Sequence, residues 1–125
     1  MFKVTDTPRF VWPVEVRLPS ATEPGKIETQ TFTGHFVLLG KDRMDEMAAA
    51  MATANSAGAD ATYAETMTQI RNVLVGWGDD VVDDDGAAIP FSAEALDDIC
   101  RFPQVREAIA IAYGEAASGK ARLGN

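Results

Sequence analysis

Residues 10–18, FVWPVEVRL, and residues 26–38, KIETQTFTGHFVL, decide the fold that the sequence predicts. Apolar and polar residues alternate in both stretches, and β-branched and aromatic residues are frequent, which is typical of strands with one buried face. We expect a β-hairpin over residues 10–39, turning at Pro24-Gly25, with Pro13 on a sheet edge because it has no N–H to donate. The predicted buried face holds Trp12, Val14, Val16 and Leu18 in the first strand and Phe32, Gly34, Phe36 and Leu38 in the second.

The segment that follows, residues 42–117, predicts about four helices. Asp42 is placed to cap the first helix, which we expect to end near Ala54, and loop-forming residues fill positions 55–60. The first helix has a methionine stripe, because its apolar residues at offsets 0, 3 and 7 share one face. The stripe consists of Met44, Met47 and Met51.

A capping-box pattern, Thr62 with Glu65, marks the start of the second predicted helix, over residues 62–76. Two strands alone are marginal in water, so we expect this helix to cover the apolar face of the hairpin. Its apolar stripe is the clearest periodic signal in the chain and consists of Tyr63, Met67, Ile70, Leu74 and Trp77.

The third and fourth helices are predicted from their first residues. After a turn at Asp85-Gly86, Ser92 is placed to cap a short helix that ends near Cys100. Pro103 suits the first position of the last helix, and residues 118–125 resemble a frayed tail. The predicted class is α+β: one domain, residues 1–125, with an N-terminal hairpin or small sheet packed against a helical part.

Composition and charge restrict the function. The chain has 125 residues, of which 46% are hydrophobic, with one cysteine and one histidine. We expect a soluble protein made in the cytoplasm, because the sequence shows neither a signal peptide nor an apolar run long enough to span a membrane. The net charge is −8, and residues 44–100 hold twelve acidic residues and one basic residue. Such an acidic block repels phosphate backbones, so nucleic-acid binding is disfavoured.

No residue pattern predicts catalysis, a cofactor site or a metal site. If Gly86 occupies position 6 of an EF-hand loop, Val81 and Ser92 fall where calcium ligands belong, so the aspartates predict a solvated turn. His35 lies out of phase with the buried residues of its strand, which indicates a histidine facing solvent or an interface. Cys100 is expected to be a small buried hydrophobe. We therefore expect a protein that is not an enzyme.

Three further motifs carry a family resemblance. They are VLVGW at residues 73–77 with VDDDGAAIPFSAEAL at 82–96, REAIAIAY at 106–113 and FTGHF at 32–36. Together they resemble the small tail assembly chaperones of long-tailed, non-contractile phages and their prophages, over about residues 27–115. The doubled Asp79-Asp80 and the longer front hairpin depart from that pattern.

The resemblance implies a non-enzymatic protein that binds the tape measure protein before the tail tube polymerises around it. It also implies the cytoplasm of a bacterial host, absence from the mature virion, and the tail tube protein as a further candidate partner, without nucleic acid or membrane. Self-association into a homo-oligomer stays open. So do two other functions: a small structural or connector protein of a phage particle, and an acidic regulator or inhibitor.

The candidate partner-binding residues are the methionine stripe and the three aspartates of the turn. Methionines on one helix face either fill gaps in a core or form an adaptable apolar surface for a partner. Acidic residues near such a surface would affect the association rate. The predicted partner-binding residues are Met44, Met47, Met51, Asp83, Asp84 and Asp85.

Overall fold

The computed structural model describes residues 1–119, and these residues form an α+β fold, as predicted. A three-stranded antiparallel sheet combines with four helices, three of which are longer than three turns. Among the described residues, no helix combines the length and apolar character needed to cross a membrane. The elements are β1 Arg9–Pro19, β2 Ile27–Val37, α1 Lys41–Ala57, α2 Ala59–Val73, β3 Leu74–Trp77, α3 Ala93–Ile99 and α4 Pro103–Ala117.

The predicted hairpin forms the first two strands of the sheet. β1 pairs with β2 along its whole length, with Val14 opposite Phe32 and Pro13 opposite Thr33. The sheet order is β1-β2-β3, so β1 is an edge strand and the expected position of Pro13 is confirmed. Alternation places one face in the core, including Val14 and Phe36, while His35 is exposed on the opposite side.

The helix predicted over residues 62–76 is wrong at its C-terminal end. α2 ends at Val73, and Leu74–Trp77 forms β3 against β2, with Trp77 opposite Gly34. The helical spacing of Leu74 and Trp77 was therefore coincidental. Without β3, one edge of β2 would be unpaired. Residues 74–77 therefore form hydrogen bonds with β2 instead of continuing the hydrogen bonds of α2.

The junction between the first two helices is also tighter than predicted. α1 continues to Ala57, and Gly58 alone separates it from α2. Gly58 has φ of 122°, a conformation that a residue with a Cβ rarely adopts, so the chain reverses within one residue. The predicted caps are wrong for the same region: Gly40 precedes α1 instead of Asp42, and the Thr62 hydroxyl donates to the Gly58 carbonyl inside α2 at 3.0 Å.

The later helices begin where the sequence predicted. The Ser92 hydroxyl caps α3 by accepting a hydrogen bond from the Ala95 N–H at 3.0 Å, and Pro103 starts α4. Residues 118 and 119 follow the end of α4, and the rest of the predicted tail, residues 120–125, lies outside the described residues.

The core lies between the inner face of the sheet and the helices. Most of the hairpin face predicted to be buried is buried, and Trp12, Leu18 and Leu38 are half-buried. The helix that covers it is mainly α4, packed along β1, whereas α2, the expected cover, contributes a smaller contact with β2 and β3. Ala108 and Ala112 on the buried side of α4 allow a close approach to the strand. The most completely buried side chains are Val14, Phe36, Leu74, Leu96, Cys100 and Ile109.

Trp77 closes this core beside the turn, as predicted. Its side chain is buried, and its indole Nε1 donates to the Ile89 carbonyl at 2.8 Å. Its ring meets those of Phe32 and Phe91 edge to face, at centroid distances of 6.1 and 4.8 Å. Trp77 thus joins β3 to the segment that returns from the Asp85-Gly86 turn.

Replacing Trp77→Ala is expected to lower the free energy of unfolding by about 3–5 kcal/mol, because it removes a buried aromatic ring and leaves a cavity. Trp77→Phe keeps a ring against Phe32 and Phe91 and loses the hydrogen bond, so a loss of about 1–2 kcal/mol is expected. Urea unfolding followed by circular dichroism measures both. An alanine variant within about 0.5 kcal/mol of the unaltered protein would show that the ring does not hold the core together.

Cys100 lies in the core, where burial raises the pKa of its thiol from 9.0 to about 11. Well below pH 9 the thiol is neutral in both the folded and the unfolded chain, so the full stabilisation from keeping it protonated is present. Between pH 9 and 11 the unfolded chain loses the proton first, and stability falls as the pH rises. We expect urea midpoints to decline more steeply over this range than those of Cys100→Ala. Parallel declines would contradict a raised pKa.

Candidate functional site

An apolar groove opens between α1 and α4, with α2 as its floor. α1 and α4 each pack on α2, and the space between them has a volume of about 380 Å³. Most of its lining is aliphatic, aromatic or thioether in character. The lining residues are Met44, Met47 and Met51 from α1, Thr66, Gln69, Ile70 and Val73 from α2, and Arg106, Ile109, Ala110, Tyr113 and Gly114 from α4.

The methionine stripe forms one wall of this groove. None of the three methionines is buried: Met44 is 38% exposed, and Met47 and Met51 are half-buried. Ala54 is the only buried residue of α1, so this helix contributes little to the core. Both interpretations left open by the sequence apply in part: Met47 packs against the core, and the accessible parts of the three methionines form a surface along the groove. A partner-binding role for that surface stays a prediction.

Two side chains hold the walls of the groove in place. The Gln69 Nε2 donates to the Met47 carbonyl at 2.8 Å and to Glu65 Oε2 at 3.1 Å, which joins α2 to α1. The Tyr113 hydroxyl accepts from the Leu39 N–H at 2.9 Å, which joins α4 to the segment entering α1. The α1 wall is thus anchored to α2 near its middle, and the α4 wall is anchored to the segment that precedes α1.

Arg106 provides the charged group of the groove lining. Its Nη1 donates to the Cys100 carbonyl at 2.7 Å, and its guanidinium carbon lies 4.8 Å from the centre of the Tyr63 ring. Arg106 is not among the residues predicted to bind a partner, although it precedes Ile109 and Tyr113 by three and seven residues on one helix face. That spacing was the available signal; the contacts with α2 and with the end of α3 depend on the tertiary structure.

The three aspartates of the predicted site lie elsewhere, in the connection between β3 and α3. Asp83 Oδ1 accepts from the N–H groups of Asp85 and Ala87 at 2.9 and 3.0 Å, and Val82 forms a bridge with Ala88. The predicted turn at Asp85-Gly86 is confirmed. The groove lining includes none of the three aspartates, so the expectation that they lie beside the methionine surface is wrong.

The doubled Asp79-Asp80, which departs from the family pattern, has a structural role through Asp80. Its Oδ2 accepts from both the N–H and the hydroxyl of Thr33, at 3.0 and 2.9 Å. These bonds tie the start of the β3–α3 connection to the centre of β2. The position of the acidic turn relative to the sheet is fixed by this contact.

Within residues 1–119, no group of three His, Cys, Asp or Glu side chains is placed to hold a metal ion. His35 is exposed on the outer face of the sheet, beside Gly76. Cys100 is buried with a raised pKa, which leaves the thiol neutral and poorly nucleophilic at neutral pH. The groove, with its mainly apolar lining and a volume of about 380 Å³, is taken as the candidate binding site.

No family model matches the sequence, and neither curated proteins nor solved structures give a match. The likeness to tail assembly chaperones consequently rests on the short motifs quoted above.

Asp83 and Asp84 provide a matched test of the acidic turn. Asp83→Ala removes the acceptor of two backbone N–H groups and is expected to cost about 1 kcal/mol of folding stability. Asp84→Ala removes an exposed carboxylate and is expected to change stability by less than about 0.5 kcal/mol. Urea unfolding of both variants checks the difference, and equal losses would contradict a structural role specific to Asp83.

Proposed function

We propose that this chain is a non-enzymatic assembly chaperone of a long-tailed, non-contractile phage or prophage. It binds the tape measure protein in the cytoplasm of the bacterial host and is not retained in the mature virion. The observation that carries the proposal is the apolar groove between α1 and α4, whose methionine wall is accessible to a partner. The motifs that resemble this family provide its second support.

The chemistry of the groove suits a protein segment as its client. Methionine side chains are flexible and polarisable, so a methionine wall can adapt to several apolar surfaces. Covering a large apolar side chain contributes about 1.5–3 kcal/mol, and three such side chains provide a substantial part of a micromolar affinity. Temporary covering of this kind protects an aggregation-prone client without any covalent chemistry.

The acidic surface supports a separate role in partner selection. Asp84 and Asp85 lie on an exposed turn outside the groove. Their charges would therefore change the rate at which a partner associates and not the apolar contact inside the groove. Their clustering on one turn differs from the extended spacing of phosphates, which disfavours the alternative of an acidic regulator or inhibitor that mimics nucleic acid. The tail tube protein and a second copy of this chain are further candidate partners.

The double replacement Met47→Ser and Met51→Ser is expected to speed dissociation from purified tape measure fragments by about tenfold or more, because each change removes covered apolar area. Surface plasmon resonance measures the rates. The matched control is Ala49→Ser with Thr53→Ser, which has the same spacing and the same introduced residue. Both control positions are exposed and lie outside the groove lining, so the rates should stay unchanged.

Circular dichroism and thermal melting of both double variants establish that α1 is folded. Complete loss of binding at moderate salt, with the methionine variant unaffected, would show that charge and not apolar contact holds the complex. Failure of every tape measure fragment from the same genome to bind would contradict the proposed function itself.

A further inference from the structure

Arg106 differs from the arginines whose salt bridges the structure records. Arg43, Arg71 and Arg101 pair with Glu46, Asp97 and Asp98, all on exposed surfaces. No salt bridge among residues 1–119 includes Arg106, although this side chain lines the groove and is half-buried. A cation at the end of an apolar groove therefore lacks a carboxylate partner within the described part of the chain.

The guanidinium of Arg106 is nevertheless held in position. The Cys100 carbonyl accepts from one of its amino groups, and the Tyr63 ring lies beneath its carbon atom. Arginine has five N–H donors, so this hydrogen bond leaves others available to a ligand. Because the Arg106 side chain is already held in place, less of its conformational entropy is lost when a carboxylate binds.

The other polar groups of the lining favour a helical occupant. The Thr66 hydroxyl donates to the Thr62 carbonyl at 2.8 Å, the Gln69 Nε2 donates to Met47 and Glu65, and the Tyr113 hydroxyl accepts from the Leu39 N–H at 2.9 Å. An extended segment laid in this groove would leave backbone N–H and C=O groups with few partners. A helix satisfies its own backbone hydrogen bonds and presents only side chains to the apolar walls.

The length of the groove sets the number of contacts. Met44 and Met51 are seven residues apart on α1, which corresponds to a span of about 10 Å, or about two helical turns. A helix in the groove would place apolar side chains at i, i+4 and i+7 against the walls. A residue one further turn along that face would lie beyond the apolar part, at the end where Arg106 is found.

We propose that the groove receives an amphipathic helix of the partner, and that a carboxylate one turn beyond its apolar stripe pairs with Arg106. This inference rests on the proposed function and specifies which kind of tape measure segment the groove accepts. The apolar contact supplies affinity, and the charge pair fixes the register of the helix.

The test uses synthetic peptides with blocked ends and leucine at i, i+4 and i+7. One peptide has glutamate at both i−4 and i+11, so that a carboxylate reaches Arg106 whichever direction the helix takes, and the matched peptide has glutamine there. Fluorescence anisotropy measures their affinities for the full chain and for Arg106→Gln and Arg106→Lys. Circular dichroism verifies the fold of each variant.

The glutamate peptide is expected to bind the unaltered chain about tenfold more tightly than the glutamine peptide. That preference should disappear in Arg106→Gln and persist in reduced form in Arg106→Lys. Equal affinities for the unaltered chain, absence of binding by both peptides, or a preference that survives in Arg106→Gln would each overturn the inference. The peptides are not tape measure sequences, so the two proposals can fail separately. If tape measure fragments bind but the glutamate peptide shows no advantage over the glutamine peptide, the pairing with Arg106 is wrong and the proposed function stands.

Discussion

The packing of α4 on the inner face of the β1–β2 hairpin is the contact on which the rest of the structure depends. A three-stranded sheet with one apolar face needs a cover, and α4 supplies it along β1 with Ala108 and Ala112 at the approach. The fully buried Ile109 lies on the same helix, and it also lines the groove. One helix therefore completes the core and forms a wall of the candidate binding site. The packing of α4 in the core thus determines where this wall of the groove lies.

α1 is related to the core in a different way. It follows β2 directly, reverses into α2 at Gly58, and buries only Ala54. Its methionines line the groove, and Met47 also packs against the core. α4, which completes the core, and α1, which buries little and carries the flexible methionine side chains, share α2 as a common support.

The elements with local signals could be predicted from the sequence, whereas those that depend on distant partners could not. Alternation identified the hairpin, and Ser92 and Pro103 marked the starts of two helices, because caps and strand faces act over a few residues. β3 was missed because Leu74 and Trp77 continue a helical spacing, while the unpaired edge of β2, distant along the chain, determines their conformation. The methionine stripe was visible, but the groove also required α4, whose position follows from the sheet.

Arg106 shows how the predicted site and the observed one differ in chemistry. Charge patterning directed attention to the aspartates, since they dominate residues 44–100. In the structure Asp83 is engaged in its own turn and Asp80 ties that turn to β2, so part of this negative charge serves the fold. The charged residue of the groove lining is a cation, Arg106, which lies in the same lining as the flexible methionine side chains. Methionines accept many apolar surfaces but discriminate poorly among registers. In the complex that we propose, the guanidinium held at one end of the groove would supply this discrimination, because a shifted helix would leave its carboxylate desolvated and unpaired.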